Sequence, residues 1–370
     1  MKRSAGHQPD YILAGTAVFL ILFGLVMLSS AGAVLGFEKF GDSNYFLKKQ
    51  LISLAVGLVA FTMMFLINYR LWEKLSPLLM LVGLGLLLAV FIPGLGPEYL
   101  GAHRWIQIGT FVFQPSEIIK LIFILYLSSW LVRRQQQLHH VQHSLFPFLT
   151  ILGLVALLII AQPDLGTTIV IVGTAIILYF TAGAPLTQLG GLAVAGALLL
   201  TLAVKIAPYR AQRFTVFLNP SLDPQGIGYH INQALLAIGS GGIFGLGLGH
   251  SRQKFNYLPE PAGDSIFAVT AEELGFLVVI IFILAWCLLL YRGLRIARQS
   301  RDAFGQYVAM GIVSWLGLQA FFNMAAMLRL MPLTGIPLPL ISYGGTAIIT
   351  SLAGLGLLLN ISRTVPYQTH

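Results

Sequence analysis

One cysteine, Cys287, stands in 370 residues, and it lies inside an apolar run. An intrachain disulfide and a cysteine-built metal cluster are thereby excluded. Charge is scarce as well. Charged residues make up 9% of the chain, against about a quarter in a soluble domain. Acids are fewest, 13 Asp and Glu against 22 Lys and Arg, for a net charge of +9 and a pI of about 9.7. No basic stripe interleaved with aromatics accompanies this excess, so nucleic acid is not an expected partner. No interior repeat is visible, and an inverted-repeat transporter gains no support from the sequence. The glycine-rich run 239–249 lacks both a strand–turn–helix context and a phosphate-loop lysine, which argues against a nucleotide site.

What the chain does have is apolar length. Hydrophobic residues form 57% of it, and the mean hydropathy is +0.83. Apolar runs of about 20 residues recur, as a bilayer core of roughly 30 Å demands. The expected fold is an all-α polytopic membrane protein with about ten transmembrane helices, at 11–35, 50–68, 75–93, 115–132, 145–161, 166–183, 187–206, 265–291, 305–327 and 341–362. The first run is too long for the apolar region of a signal peptide, about 7–15 residues. With the N-terminus inside, eleven Lys and Arg fall on inner segments and five on short outer ones. That bias places both termini in the cytoplasm and the long loop 207–264 outside. Aromatic, apolar and turn residues within this loop argue for order, with surface helices expected around 229–238.

The few acids are not evenly spread: Glu260, Asp264, Glu272 and Glu273 fall within fourteen positions. Ionisable groups at a membrane boundary are costly and mark function. Asp264 stands where polar loop becomes apolar helix, an N-cap position, and a capping carboxylate at a membrane rim is also a positioned base. Glu272 and Glu273 lie roughly 12–13 Å further along that helix and suit structural ties to neighbouring helices. Glu117 and Lys120, at i and i+3 just after Pro115, share one helix face as an ion pair or cavity support. Asp164 sits in a tight turn before Gly166, on the same face of the membrane as Asp264. Arg104 adjoins Trp105, an interfacial pairing. His139, His140 and His143 suit a solvated loop.

Taken together, several motifs carry a resemblance across residues 11–362. They are Arg104-Trp105; Gln114-Pro-Ser-Glu117-Ile-Ile-Lys120; Ala161-Gln-Pro-Asp164-Leu-Gly166; Asn219-Pro220 with Asp223-Pro224; Gly228-Tyr229; Tyr257-Leu-Pro-Glu260; Asp264-Ser-Ile-Phe-Ala268; Glu272-Glu-Leu-Gly275; and Gly335-Ile-Pro-Leu-Pro-Leu-Ile-Ser-Tyr-Gly-Gly345. The chain resembles the SEDS family of shape, elongation, division and sporulation proteins, and is closer to its division branch. The resemblance implies a ten-helix peptidoglycan glycosyltransferase of the bacterial cytoplasmic membrane. Such an enzyme polymerises lipid II at the outer face and works with a class B penicillin-binding protein and other division or elongation membrane proteins. It assigns catalysis to Asp264 and an intramembrane pair to Glu117 and Lys120. Under it, Arg104, Asp164, Arg210, Arg213, Arg252 and Lys254 become candidates to bind the substrate, the basic ones on its pyrophosphate. A divalent cation, Mg or Mn, would share that charge, although no metal cluster is readable. One departure is plain. Many members carry His-Thr before the aspartate and Phe after it; here Ala262-Gly263 precede Asp264 and Ser265 follows. The rival classes are a lipid II flippase, which the acids and Lys120 at membrane depth would suit, and a scaffold for a synthase.

Overall fold

A computed structural model describes residues 8–364 apart from 97, 100–101, 110, 207, 220–221 and 224. The described chain forms thirteen α-helices: α1 Tyr11–Ala31, α2 Ala33–Phe40, α3 Tyr45–Leu66, α4 Tyr69–Ala89, α5 Pro115–Arg134, α6 Leu145–Ala161, α7 Leu165–Thr181, α8 Leu186–Ile206, α9 Pro208–Leu218, α10 Ile227–Ser240, α11 Ile266–Gln299, α12 Ala303–Met327 and α13 Gly345–Ser362. Two small antiparallel hairpins, β1 Glu98–Tyr99 with β2 Ala102–His103 and β3 Ile106–Ile108 with β4 Phe111–Phe113, fill the connection before α5. Among the described residues seven helices are long and apolar enough to cross a membrane: α1, α3, α4, α5, α11, α12 and α13. Three shorter apolar helices, α6, α7 and the 186–196 part of α8, stand at the other expected spans.

Burial orders the bundle. α5, α12 and α13 are largely enclosed, while α3, α4 and most of α11 turn apolar side chains outward. Small residues allow the closest approaches. A Cβ on Gly356 would lie 2.4 Å from the Phe61 carbonyl oxygen, so only glycine lets α13 lie against α3 here. Asn360 on α13 then donates its amide to the carbonyls of Met64, Phe65 and Ile67 at 2.6–3.0 Å. These groups at the α3 terminus have lost their intrahelical partners.

Five spans depart from expectation by four residues or more; α3 begins at 45 instead of 50, α4 covers 69–89 instead of 75–93, and α11 runs to 299 instead of 291. The first span ends at Ala31, with Gly32 separating α1 from α2. The last begins at Gly345 instead of 341, because Pro337, Pro339 and the left-handed backbone of Leu340 (φ 66°) keep 335–343 non-helical.

α11 is broken within its length. Gly275 has φ 73° and ψ −179°, so the helix consists of two parts, 266–274 and 276–299. The break frees the carbonyls of Glu272 and Glu273 and the amides of Phe276 and Leu277 from one another. The glycine-rich run takes them up. Leu246 and Gly247 donate to Glu272 O and Glu273 O at 3.0 and 2.9 Å, while Phe276 and Leu277 donate to Gly242 O and Ile243 O at 3.0 and 3.2 Å. Irregular backbone at membrane depth is tolerated where protein satisfies it in this way. These glycines lie hard against the α11 backbone: a Cβ on Gly241 would lie 2.1 Å from Ala271 O, and one on Gly245 2.2 Å from Glu273 O.

Candidate functional site

Asp264 occupies a turn, not a helix cap. Ser265 is the residue before α11, and its side chain makes no cap bond. The turn is shaped by Glu260, in left-handed backbone at φ 46°; its carbonyl accepts from Gly263 N and Ser265 N at 3.0 and 3.3 Å. Three bonds hold the turn from the α12–α13 side. Asn323 Nδ2 donates to Asp264 O at 2.8 Å, Ser342 Oγ to Gly263 O at 2.6 Å and Tyr343 N to Ala262 O at 2.8 Å. The carboxylate itself is less constrained. Asp264 is partly buried, and its Oδ1 is enclosed without a hydrogen-bond partner.

Burial pushes the Asp264 carboxyl up to about 7. The charge of Glu260 acts in the same direction, whereas Arg213 and the Ser265 hydroxyl draw it down. A carboxyl poised there can take a proton near neutral pH.

The segment 333–343 is the hub around this turn. Arg213 on α9 donates Nη1 to Leu333 O at 2.9 Å. A Cβ on Gly335 would lie 4.0 Å from Asp264 Oδ2. Asn323 Nδ2 also donates to Ile336 O at 2.8 Å, and Gln319 Nε2, one helical turn earlier, to Pro337 O at 2.9 Å. From the opposite side, a Cβ on Gly166 would lie 2.8 Å from Thr334 O. The Asp164 and Asp264 turns thus press on one segment.

The remaining sequence candidates divide. Asp164 is buried as the N-cap of α7, accepting from Thr167 N at 3.1 Å and from Gln114 Nε2 and Ser116 Oγ at 3.3 Å. Arg104 donates to the carbonyls of Gln162 and Pro163, tying the hairpins to the same turn. Glu117 and Lys120 meet at 2.7 Å, both buried. Lys120 also donates to Gln319 Oε1 at 2.8 Å and lies 5.2 Å from the Trp315 ring centre. The pair is therefore joined through Gln319 to the 333–343 hub.

Glu272 and Glu273 hold the loop after the glycine run. Glu272 accepts from Ser251 Oγ at 2.5 Å and Arg252 N at 2.9 Å. Glu273 accepts from Ser30 Oγ at 2.7 Å and Lys254 Nζ at 2.8 Å. Lys254, anticipated on the substrate, is instead buried, with its ammonium on Glu273, Ser30 Oγ and Gly249 O. A buried carboxylate requires that counter-charge. Arg252 keeps an exposed side chain, and the Arg210 side chain lies outside the described residues.

Sequence reading missed His230, on α10. Its Nε2 lies 2.7 Å from Ser265 Oγ, next to Asp264. It also gave no role to Gln319 and Asn323, although polar residues four apart on an apolar span were a readable signal. Among the described residues no three His, Cys, Asp or Glu side chains converge as a metal site.

Comparison with known proteins covers nearly the whole chain. The family model of the FtsW, RodA and SpoVE cell cycle proteins matches residues 11–367. Stage V sporulation protein E of Bacillus subtilis is 42% identical over 363 residues, 97% of this chain and 98% of that protein. A probable peptidoglycan glycosyltransferase FtsW of Geobacter sp. (strain M18) is 40% identical over 362 residues, 98% of each chain. Among solved structures, a chain of a peptidoglycan synthase complex that coordinates polymerization and crosslinking aligns with TM-score 0.80 and 29% identity, over 96% of this chain and 98% of that one. Thermus thermophilus rod shape determining protein RodA aligns with TM-score 0.70 and 30% identity, over 98% of each chain.

Proposed function

The chain belongs to the FtsW, RodA and SpoVE family of cell cycle proteins, and from that membership we propose that it is a peptidoglycan glycosyltransferase serving cell division or shape. Relatives named FtsW and SpoVE at about 40% identity favour the division type. The proposed substrate is lipid II, a disaccharide-peptide on undecaprenyl pyrophosphate, met at the outer face of a bacterial cytoplasmic membrane. Both termini then lie inside, and 207–264 outside, as the Lys/Arg bias supports.

The observation that carries the reading is Asp264, an enclosed carboxylate with a free Oδ1, set to ionise near neutrality at the membrane rim. In the inverting reaction a sugar hydroxyl oxygen bonds to the anomeric carbon of the donor. The anomeric carbon–phosphate oxygen bond breaks, and its electron pair leaves with the undecaprenyl pyrophosphate. Asp264 takes the hydroxyl proton. Arg213, whose charge already acts on Asp264, and the exposed Arg252 are the partners offered to the pyrophosphate, with Arg210 beside them in sequence. Arg104 and Asp164 order the neighbouring turn. A divalent cation, Mg²⁺ or Mn²⁺, held on the substrate phosphates with the exposed carboxylate of Glu260 as its hard oxygen donor, would neutralise leaving-group charge and leave Asp264 to act as base.

Glu117 and Lys120 are closed upon each other, Gln319 and Trp315. That supports cavity support over a translocation path. A class B penicillin-binding protein is the proposed partner, by analogy with the synthase complex this chain resembles. The test is polymerisation of lipid II by the purified protein, with and without that partner. Asp264→Asn keeps the shape and removes the base; glycan strands formed at the wild-type rate by a folded Asp264→Asn variant would end the assignment.

A further inference from the structure

We propose that His230 is a positioning residue for Asp264: from α10 its imidazole holds the Ser265 hydroxyl and so fixes the turn that presents the free Oδ1. The inference rests on Asp264 as the base of the proposed reaction. No histidine stands next to Asp264 in sequence, and this one arrives from a helix about thirty residues earlier.

The hydrogen bonds determine its tautomer. Ser265 is fully buried, and its Oγ has two partners, His230 Nε2 at 2.7 Å and Pro259 O at 2.7 Å. A hydroxyl has one proton to donate. A carbonyl can only accept, so that proton goes to Pro259 O. Ser265 Oγ therefore accepts from His230, which carries its hydrogen on Nε2. The bond chain His230–Ser265–Pro259 spans the turn from its last residue back to its start, with Asp264 between. α10 supplies a rigid base: Gly228, Ile231, Ala234 and Ala237 are buried along one face of it.

The charged groups around this point are Arg213 on α9 and Asp264 and Glu260 on the turn; α12 contributes the neutral Asn323. Burial holds the imidazole down to about 4, and Arg213 acts in the same direction. His230 is thus a neutral donor throughout the working pH range.

The test uses the full chain with its synthase partner in lipid II polymerisation. His230→Ala removes the donor and loosens the turn that presents Oδ1. Its kcat should fall roughly tenfold, the worth of one buried hydrogen bond, with KM nearly unchanged. His230→Gln, whose amide can donate in place of Nε2–H, should recover most of the rate. A His230→Ala protein matching wild type in rate would overturn the proposal. So would a His230→Gln protein as impaired as His230→Ala. A readout free of catalysis is ¹⁵N NMR of histidine-labelled protein in bilayers. The signal lost in His230→Gln should report a neutral Nε2–H tautomer that does not titrate from about pH 5 to 8; a titrating or Nδ1–H signal refutes it. Wild-type protein that fails to polymerise would count against the glycosyltransferase reading, while the NMR result still decides the His230 assignment.

Discussion

Replacing Gly275 by alanine tests whether the splice between α11 and the glycine-rich run holds the site's scaffold. At φ 73° and ψ −179° the residue occupies a region essentially confined to glycine, worth about 1–3 kcal/mol of strain for any other residue. The added Cβ would lie 2.2 Å from Gly245 N, 2.5 Å from Phe244 C and 2.6 Å from Ile243 O. All three are backbone atoms, so rotamer changes cannot relieve the contact. The run must move off, which puts the four exchanged backbone bonds at risk, each contributing about 1 kcal/mol. Strain and the loss of two or three of these bonds together give roughly 3–6 kcal/mol of destabilisation. The assay is thermal unfolding of purified protein in detergent, read by the fraction remaining monodisperse. Gly239→Ala serves as control, since a Cβ there meets nothing within 4 Å, and alanine is favoured over glycine in a helix interior by up to about 1 kcal/mol. A Gly275→Ala protein that melts together with Gly239→Ala would refute the splice.

Other outcomes are as specific. The rate should rise with pH through about 7 and then level, because Asp264 accepts a proton only when ionised and its carboxyl is pushed up to about 7. The stability sign is opposite. A folded-state value raised above the unfolded one makes the stabilising contribution of Asp264 greatest in acid and removes it as pH climbs through 7; Asp264→Asn should therefore melt above wild type at pH 8, with the gap closing toward pH 4. Lys254→Met leaves Glu273 buried without its counter-charge, a loss of about 3–5 kcal/mol, and adding Glu273→Gln should restore part of the melting temperature. Asn323→Leu removes the bonds to Asp264 O and Ile336 O; polymerisation should fall at least about tenfold while the fold loses only about 1–3 kcal/mol.

The spans were legible because a bilayer imposes length and apolarity together, and these read directly from residue order. The pairing of Glu117 with Lys120 was legible for a similar reason: i and i+3 on a helix fix one face. The helix α10 was legible from the aromatic and apolar residues that argued for order in the long loop. Lys254 was not legible, since whether a lysine faces substrate or a buried glutamate depends on how the loop folds back onto α11. Of the 333–343 segment, only 341–343 were drawn into the last span, where they adjoin its apolar run, and the packing of 333–340 around the Asp264 turn leaves no periodicity in residue order. His230 escaped notice because its partner, Ser265, lies 35 positions away, a separation for which residue order offers no periodicity. The Asp264 turn was anticipated as a helix cap; packing against α12 and 342–343 instead sets it one residue outside.

Straightened into a single rod, the 34 residues of α11 would reach about 50 Å, well beyond a hydrocarbon core of roughly 30 Å. Membranes differ in thickness, and a long apolar helix meets the difference by tilting. In an unbroken helix such a tilt would carry the 266–274 end along with it. The break at Gly275 separates the two demands. The 276–299 part takes its angle from the bundle, where Phe282, Trp286 and Leu289 are buried, while the 266–274 part takes its own from Ser342, Tyr343 and Asn323 through the Asp264 turn. The chemistry is thereby insulated from the dimensions of the bilayer that houses it.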